Sequence, residues 1–255
     1  MNALLEVREV RKAFGGVKAV NGATFTVAPG SITGLIGPNG AGKTTTFDLI
    51  SGRTACDGGT VQFDGKNVTG NPIHKLSCAG LVRTFQIPRA FQRMTAWENL
   101  LFSGTNHPGE GFWAGLISTG SSRRREKEVA ARADEVLTFL EIDHIANLSA
   151  GSLSGGQRKL LELGRALMRD PKLIMLDEPF AGVAPALTGK IAQKLVELRE
   201  QGMTIVLVEH DLEAVMRLVD HLVVMHMGAV LVAGDPSVVR TDERVLEAYL
   251  GGAHV

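Results

Sequence analysis

The sequence predicts an α/β fold with a parallel sheet covered by helices on both faces. Two continuous apolar runs, residues 173–176 and 204–208, support this prediction, and each has helical patterns on either side. Strands buried on both faces of a parallel sheet have this composition. A third apolar run, residues 32–36, leads directly into a glycine-rich loop. Strands and helices that alternate in this way are typical of α/β architecture.

Further segments are expected beside this sheet. Residues 3–35 contain short strand patterns broken by glycine and proline turns. Residues 86–153 are expected to form an inserted helical subdomain in a single domain, whose core comprises residues 1–85 and 154–255. Inside the insertion, residues 123–140 are predicted to form an amphipathic helix, because apolar side chains recur at helical spacing. These side chains are Val129, Ala133, Val136, Leu137 and Leu140.

Composition and charge exclude several classes of protein. The 255 residues include 27 Lys and Arg against 27 Asp and Glu, and this balance disfavours a general nucleic-acid binder. The two cysteines, Cys56 and Cys78, have no ligand-like spacing, so they predict neither a disulfide framework nor a zinc site. The sequence has no run of roughly 18 apolar residues that would predict a membrane span. Its charged, strand-like start is unlike a signal peptide.

The glycine-rich loop matches the pattern G-x-x-x-x-G-K-[ST], which binds polyphosphates. Its glycines allow the backbone to wrap an anion, so that N–H groups and the start of the next helix face the phosphates. Lys43 adds a point charge, and Thr44 is expected to bind Mg²⁺. The residues predicted to contact the nucleotide here are Gly37, Pro38, Asn39, Gly40, Ala41, Gly42, Lys43, Thr44 and Thr45.

Two carboxylates, Asp177 and Glu178, follow the apolar run at residues 173–176. Open α/β sheets bind ligands at the carboxyl ends of their strands, so both side chains are expected at the edge that holds the phosphates. Asp177 suits the Mg²⁺ shell, through a water molecule. Glu178 is then the predicted general base, which polarises a water for in-line attack on the γ-phosphate. Without the loop upstream, such a pair would indicate only a cap or a surface turn.

A second candidate anion site is the run Leu153-Ser154-Gly155-Gly156-Gln157. Small residues at the start of a helix leave its N–H groups and the Ser154 hydroxyl able to hold a phosphate. The same residues also predict an ordinary serine N-cap before a helix over residues 157–169. Together with the glycine-rich loop, this run resembles the signature motif of ABC ATPases. The resemblance extends over essentially the whole chain.

The resemblance to ABC ATPases implies a P-loop NTPase core with an N-terminal antiparallel β subdomain and an inserted helical subdomain. It also implies that ATP and Mg²⁺ are held between the loop of one subunit and the signature run of a second, identical or homologous subunit, in a head-to-tail dimer. Phe14 resembles the aromatic residue that stacks on adenine, although its position also suits core packing. The implied catalytic residues are Lys43, Glu178 and His210, the last a contact of the γ-phosphate, and the implied metal ligands are Thr44, Gln86 and Asp177.

Residues 80–86, 94–99 and 247–251 resemble the ATPase subunits of bacterial branched-chain amino acid importers. This narrower resemblance implies transmembrane permease subunits, a solute-binding protein outside the cytoplasm, and a peripheral position at the cytoplasmic face of the inner membrane, without nucleic acid. Lipopolysaccharide-export ATPases and urea or amide importers share several of these runs and stay as alternatives. A soluble ABC ATPase of translation or DNA repair would be expected to carry two cassettes or a long coiled coil. A sensor that does not hydrolyse ATP would be expected to lack Glu178 or His210.

The chain departs from the family pattern in the loop after Glu178. In the resembled family this loop commonly ends in an Asp that reaches across the dimer, whereas here the position is Ala184. Alanine offers no side-chain hydrogen bond, so we expect closure of the dimer to be modestly weaker unless backbone groups make the contact. The same position also falls where an N-cap is wanted, before Pro185.

Overall fold

The computed structural model describes residues 3–84, 90–104, 120–210 and 215–250, with side chains except at 120–123 and 250. Gln86, one of the predicted metal ligands, lies outside the described residues. The chain divides into two compact units. The first unit comprises Met1–Arg83, Lys172–Phe180 and Leu195–Val255, and the second comprises Thr84–Pro171 and Ala181–Lys194.

The first unit contains two sheets. Their strands are β1 (Leu5–Phe14), β2 (Val17–Val27), β3 (Ile32–Ile36), β4 (Gly58–Phe63), β5 (Lys66–Asn67), β6 (Leu81–Arg83), β7 (Leu173–Asp177), β8 (Thr204–Val208), β9 (His221–His226) and β10 (Ala229–Gly234). Strands β2, β1, β4 and β5 form, in that order, an antiparallel sheet. This sheet confirms the predicted N-terminal antiparallel β subdomain. The order in the second sheet is β10-β9-β3-β8-β7-β6.

The second sheet is parallel from β9 to β6 and has an antiparallel edge strand, β10. Every residue of β3, β7 and β8 is buried, which explains why their sequences are mostly apolar. The predicted strands at residues 173–176 and 204–208 are therefore confirmed. Asp177 pairs with Val208 in the register of β7 and β8, so the ends of these strands lie side by side.

The helices divide between the two units. In the first unit they are α1 (Lys43–Ile50), α2 (Ile73–Cys78), α7 (Pro236–Val239) and α8 (Glu243–Leu250). In the second unit they are α3 (Ala96–Gly104), α4 (Gly120–Phe139) and α5 (Gly155–Leu167), with short 3-10 turns at Asp143–Ile145 and Ala150–Ser152. Helix α6 (Pro185–Glu200) begins in the second unit and ends in the first. Over the part of the chain that the structure describes, no helix is both long and apolar enough to cross a membrane.

The two sheets of the first unit share one hydrophobic core, into which α1 also packs. Leu5 of β1, Phe63 of β4 and Met175 of β7 meet there, and Phe47 of α1 is fully buried. Complete burial of such a side chain contributes about 1.5–3 kcal/mol relative to exposure. The core therefore anchors α1, and with it the loop that precedes the helix, to the sheet.

The second unit is a helical packing of α3, α4 and α5. Ala133, Val136 and Leu137 of α4 are buried, while the charged side chains between them are exposed. This confirms the amphipathic helix predicted over residues 123–140. The predicted subdomain, 86–153, ends before α5, whereas the second unit continues to Pro171 and adds 181–194. The difference has a packing cause, because α5 lies against α3 and α4.

The close approach of these helices depends on glycine. A Cβ atom on Gly164 of α5 would lie 3.0 Å from Leu100 Cδ2 of α3 and 3.2 Å from Val136 Cγ1 of α4. Contacts this short leave little room for a methyl group in a densely packed interior. Since neither α3 nor α4 can retreat without opening the core, α5 belongs structurally with the helices that precede it.

Candidate active site

The glycine-rich loop connects β3 to α1, as its pattern requires. Gly37 and Gly42 have φ angles of 148° and 97°, in the region that favours glycine. A Cβ atom on Gly37 would lie 2.1 Å from the Met225 carbonyl oxygen, and one on Gly42 would lie 2.4 Å from the Ala19 carbonyl oxygen. Both glycines are thus required by close contact with neighbouring backbone as well as by conformation.

Lys43 folds back onto its own loop. Its ammonium donates hydrogen bonds to the carbonyl oxygens of Gly37 at 2.6 Å and Pro38 at 2.9 Å. Burial lowers the pKa of Lys43, and the negative charge of Glu178 opposes this shift. The structure therefore brings the Lys43 ammonium into the electrostatic range of Glu178, as the sequence predicted for a shared site.

The first turn of α1 presents backbone donors and hydroxyl groups. Gly42 is the N-cap residue, and no side chain caps the helix, so the N–H groups of this turn face outward with the positive end of the helix dipole. Thr44 is exposed, Thr45 is half-buried, and Thr46 is buried with its hydroxyl 3.5 Å from the Met225 sulfur. Thr44 is consequently the threonine of this turn that is most accessible to a ligand.

Asp177 ends β7 and is buried, with an ion pair to Arg83 at the end of β6. Arg83 Nη2 donates to Asp177 Oδ2 at 2.7 Å. The donor set at this edge, a carboxylate and the Thr44 hydroxyl, consists of hard oxygen ligands and therefore fits Mg²⁺. Among the described residues no group of three metal-binding side chains occurs.

Glu178 follows Asp177 in a left-handed backbone conformation, with φ of 48°. Its N–H donates to the Val208 carbonyl oxygen at 3.0 Å, which ties it to the end of β8. Positive φ is uncommon for a residue other than glycine, and such residues cluster at functional sites. The bend turns the chain out of the sheet directly after the strand, at the position where the sequence predicted a general base.

Glu209 connects the segments that carry Glu178 and His210, a role that the sequence analysis did not assign. Its carboxylate is 1% exposed and accepts hydrogen bonds from the N–H groups of Phe180 at 2.8 Å and His210 at 3.3 Å. Burial raises the pKa of Glu209, and these two hydrogen bonds oppose the shift. The one signal in the sequence is a charged residue directly after a fully apolar strand.

His210 projects from the end of β8 beside this carboxylate. Its imidazole is 62% exposed, and Nδ1 lies 3.6 Å from Glu209 Oε2. Because β7 and β8 are neighbours, the chain brings His210 and Glu178 to the same edge of the sheet. The structure thus places together four residues that the sequence selected: Lys43, Asp177, Glu178 and His210.

Phe14 lies at the end of β1 and is 53% exposed, so it is not a core residue. The alternative interpretation of Phe14 as a packing residue is wrong. The Lys12 ammonium lies 5.5 Å from the centre of its ring. An exposed aromatic face with a cation beside it offers a stacking surface for a planar group.

The signature run belongs to the second unit and starts α5. The Ser154 hydroxyl accepts from the Gln157 N–H at 3.3 Å, and the Gln157 side chain accepts from the Ser154 N–H at 2.9 Å. This reciprocal arrangement is a capping box and confirms the predicted N-cap. Ser154 and Gly155 are exposed, whereas a Cβ atom on Gly156 would lie 1.8 Å from Leu187 Cδ2. Gly156 therefore serves packing, and the exposed pair faces outward at the helix start.

Comparison with known proteins relates nearly all of the chain to ATP-binding proteins of transporters. The family described as ABC transporter matches residues 20–181, and a family described as branched-chain amino acid ATP-binding cassette transporter matches residues 229–255. The chain is 42% identical to the probable branched-chain amino acid transport ATP-binding protein LivG of Archaeoglobus fulgidus, over 97% of this chain and 95% of that protein. It is also 42% identical to the high-affinity branched-chain amino acid transport ATP-binding protein BraF of Pseudomonas aeruginosa, over 98% of both chains.

Solved structures agree with these relatives. A crystal structure of a nucleotide-free ATP-binding cassette from an ABC transporter superposes with a TM-score of 0.84 and 39% identity, over 97% of this chain and 99% of that one. The crystal structure of the ADP conformation of an ATP-binding cassette of an ABC transporter superposes with a TM-score of 0.85. Its sequence is 40% identical, over 98% of this chain and 100% of that one. This chain thus has the fold of an ATP-binding cassette. The fold carries the glycine-rich loop, the carboxylates at the strand ends and the capped signature helix. The chain therefore belongs to the ABC transporter family, as one of its ATP-binding subunits.

Proposed function

We propose that this chain hydrolyses ATP at the edge of its parallel sheet to power the import of branched-chain amino acids. The observation that carries the chemistry is the position of Glu178, held out of the sheet by its left-handed backbone and within electrostatic range of Lys43. The substrate class is supported by relatives named for branched-chain amino acid transport and by the family match at residues 229–255.

Each residue has a distinct task in the proposed reaction. The N–H groups of the loop and of the first turn of α1 bind the phosphates of ATP, and Lys43 exchanges its two carbonyl partners for phosphate oxygens. Glu178 accepts a proton from the attacking water, and His210 holds that water beside the γ-phosphate. Mg²⁺, held by Thr44 and through water by Asp177, with Gln86 as a further ligand, would neutralise charge on the phosphates. Phe14 stacks on the adenine ring.

A second ATP-binding subunit completes the site. The exposed start of α5 presents the Ser154 hydroxyl and helix N–H groups, which suit the γ-phosphate of ATP bound to the opposite subunit. ATP then bridges two head-to-tail subunits and favours the closed dimer, because it binds that state more tightly. Hydrolysis removes the bridge and resets the dimer.

The proposed partners follow from this cycle. Permease subunits in the membrane convert closure of the dimer into transport, and a solute-binding protein delivers the amino acid from outside. The chain itself would stand at the cytoplasmic face of the membrane, attached through the permease.

Reconstitution tests the proposal. The chain should be co-purified with its permease from solubilised membranes, placed in liposomes and supplied with ATP, Mg²⁺ and the solute-binding protein. We expect ATP-dependent uptake of labelled leucine, and none with a Glu178→Gln subunit. Uptake of urea or an amide instead, or stimulation of the ATPase by lipopolysaccharide, would contradict the amino acid assignment but leave the ATPase assignment standing.

A further inference from the structure

Arg83 joins three elements of the first unit through one guanidinium group. Nη2 donates to Asp177 Oδ2 at the end of β7, at 2.7 Å. Nη1 donates to Asp48 Oδ1 at 2.6 Å and to Ser51 Oγ at 2.9 Å, in α1 and at its C-cap. The guanidinium also lies 5.5 Å from the centre of the Phe47 ring. Strand β6, strand β7 and helix α1 are therefore linked at the edge of the sheet where the nucleotide site lies.

The pair between Arg83 and Asp177 is deeply buried, with 6% of each side chain exposed. Removing two charges from water costs about as much as their attraction returns, so a buried ion pair is weak evidence for a role in stability. An apolar pair of similar volume would hold β6 and β7 together as well. For this pair, the hypothesis to test is that a charged group is required in a defined orientation.

The requirement here concerns Asp177. Arg83 engages Oδ2, and Oδ1 makes no hydrogen bond within the described residues. One carboxylate oxygen is thus held, and the other is left for a ligand. The contact to Asp48 fixes the same guanidinium to α1, whose first residues are Lys43 and Thr44. Arg83 therefore fixes the orientation of the Asp177 carboxylate relative to α1, the helix that carries the proposed phosphate and metal ligands.

We propose that Arg83 is a positioning residue that orients Asp177 towards the magnesium ion bound with ATP. This inference rests on the proposed role of Asp177 in the metal site. In this proposal Arg83 acts through Asp177 and is not itself a ligand of the metal or the nucleotide. Outer partners of metal-binding groups act in this way, by holding a ligand in the orientation that the metal needs.

The test separates binding of the metal from binding of the nucleotide. The affinity of the full chain for AMP-PNP is measured by calorimetry with and without Mg²⁺, and the ratio gives the gain that the metal provides. For Arg83→Met we expect this gain to fall about tenfold, the lower end for loss of an outer partner of a metal ligand. The affinity without Mg²⁺ should stay unchanged. Arg83→Lys keeps a charge but has one ammonium for two carboxylates. Its magnesium gain should therefore lie between those of the wild type and Arg83→Met.

Arg53 supplies a matched control. It also approaches Asp48, at 3.8 Å, but its side chain is 52% exposed. Among the described residues, Asp177 forms its ion pair with Arg83 and not with Arg53. Arg53→Met should therefore leave the magnesium gain as in the wild type. If Arg83→Met does not fold, Arg83→Lys and Asp48→Asn decide the question. Each weakens the link between Asp177 and α1 but keeps a cation beside Asp177.

The outcomes distinguish this inference from the function on which it rests. If Asp177→Asn retains the full magnesium gain, the proposed role of Asp177 fails. If Asp177→Asn loses the gain and Arg83→Met keeps it, the role of Arg83 alone is overturned. An equal loss of affinity with and without Mg²⁺ would indicate a merely structural residue, and a larger gain in Arg83→Met would indicate that Arg83 competes with the metal. Either result overturns the proposal.

Discussion

Glu178 and His210, the proposed catalytic pair, follow the ends of two adjacent strands. The N–H of Glu178 is bonded to the Val208 carbonyl, and His210 follows Val208 by two residues. Glu209 lies between Val208 and His210 in the sequence. Its carboxylate accepts hydrogen bonds from the N–H of Phe180, two residues after Glu178, and from the N–H of His210. One backbone hydrogen bond and two bonds to the buried Glu209 carboxylate therefore hold the segments that carry the proposed base and the histidine.

Replacement of Glu178 by Gln should leave ATP binding intact and slow hydrolysis by about 10² to 10⁴, the typical contribution of a general base. The amide keeps the size of the side chain but has a negligible affinity for a proton. Turnover and calorimetric ATP affinity, measured on the same preparation, check both parts. Hydrolysis at the wild-type rate would show that another group acts as base.

Substitution of Gly37 by Ala should disrupt the loop, because the new methyl group would lie 2.1 Å from the Met225 carbonyl oxygen. Gly40→Ala is the matched control. Gly40 also has positive φ, 78°, but nothing lies within 4 Å of its Cβ position. We expect Gly40→Ala to cost about 1–2 kcal/mol in the free energy of unfolding, from conformation alone. Gly37→Ala should lower the free energy of unfolding by more than this and should also weaken ATP binding. Equal losses of unfolding free energy in the two variants, measured in urea, would contradict the prediction.

At the scale of elements, the sequence predicts what is locally encoded. Strands β7 and β8 are fully buried and hence mostly apolar, α4 has a clear helical period, and α5 carries its cap in the motif itself. Strands β9 and β10 were not predicted. For the edge strand β10 the reason is its partial exposure, which leaves no clean pattern in the sequence. Arg83 was missed for a different reason. Its partners Asp48 and Asp177 are 35 and 94 residues away, so only the folded sheet brings them together.

Helix α6 begins after Ala184, whose carbonyl accepts from the N–H groups of Leu187 and Thr188. This N-cap position carries no side-chain acceptor, so Ala184→Asp should stabilise the nucleotide-free chain by about 0.5–2 kcal/mol. Thermal unfolding measures this effect. Ala184→Asn, which caps without a full charge, should give a similar gain.

A separate effect of Ala184→Asp is expected on assembly. If the position faces the opposing subunit, Asp should tighten the ATP-bound dimer of a Glu178→Gln background by up to about tenfold, equivalent to 1.4 kcal/mol. The dimerisation constant is obtained from sedimentation. A raised melting temperature with an unchanged dimerisation constant would mean that the substitution acts only as a helix cap.

At the scale of the whole molecule, the two half-sites that we propose belong to separate units of the chain. The loop and the strand-end carboxylates lie in the first unit, and the exposed start of α5 lies in the second. Neither half-site surrounds a nucleotide by itself in the proposed arrangement. Binding energy is therefore shared between copies, and assembly should depend on ATP rather than on a permanent apolar interface.

Gel filtration of the Glu178→Gln chain should show a monomer without nucleotide and a dimer with ATP and Mg²⁺, since hydrolysis no longer removes the bridge. Ligand at about one hundred times its dissociation constant should also add about 2.7 kcal/mol to stability by mass action. A rise in melting temperature without dimerisation would support ATP binding at the glycine-rich loop but would contradict bridging of two subunits by ATP. A stable dimer in the absence of any nucleotide would contradict the bridging role of ATP.

Lys43 has a consequence for the speed of nucleotide capture. Its ammonium donates to the Gly37 and Pro38 carbonyls, and these bonds within the loop support the shape of a phosphate cradle. To bind ATP, Lys43 would exchange its two carbonyl partners for phosphate oxygens. The loop itself would not have to fold around the ligand. Preorganisation of this kind reduces the ordering entropy that binding must overcome. ATP should accordingly associate in one fast step, and differences in affinity among variants of the loop should appear mainly in the rate at which ATP leaves.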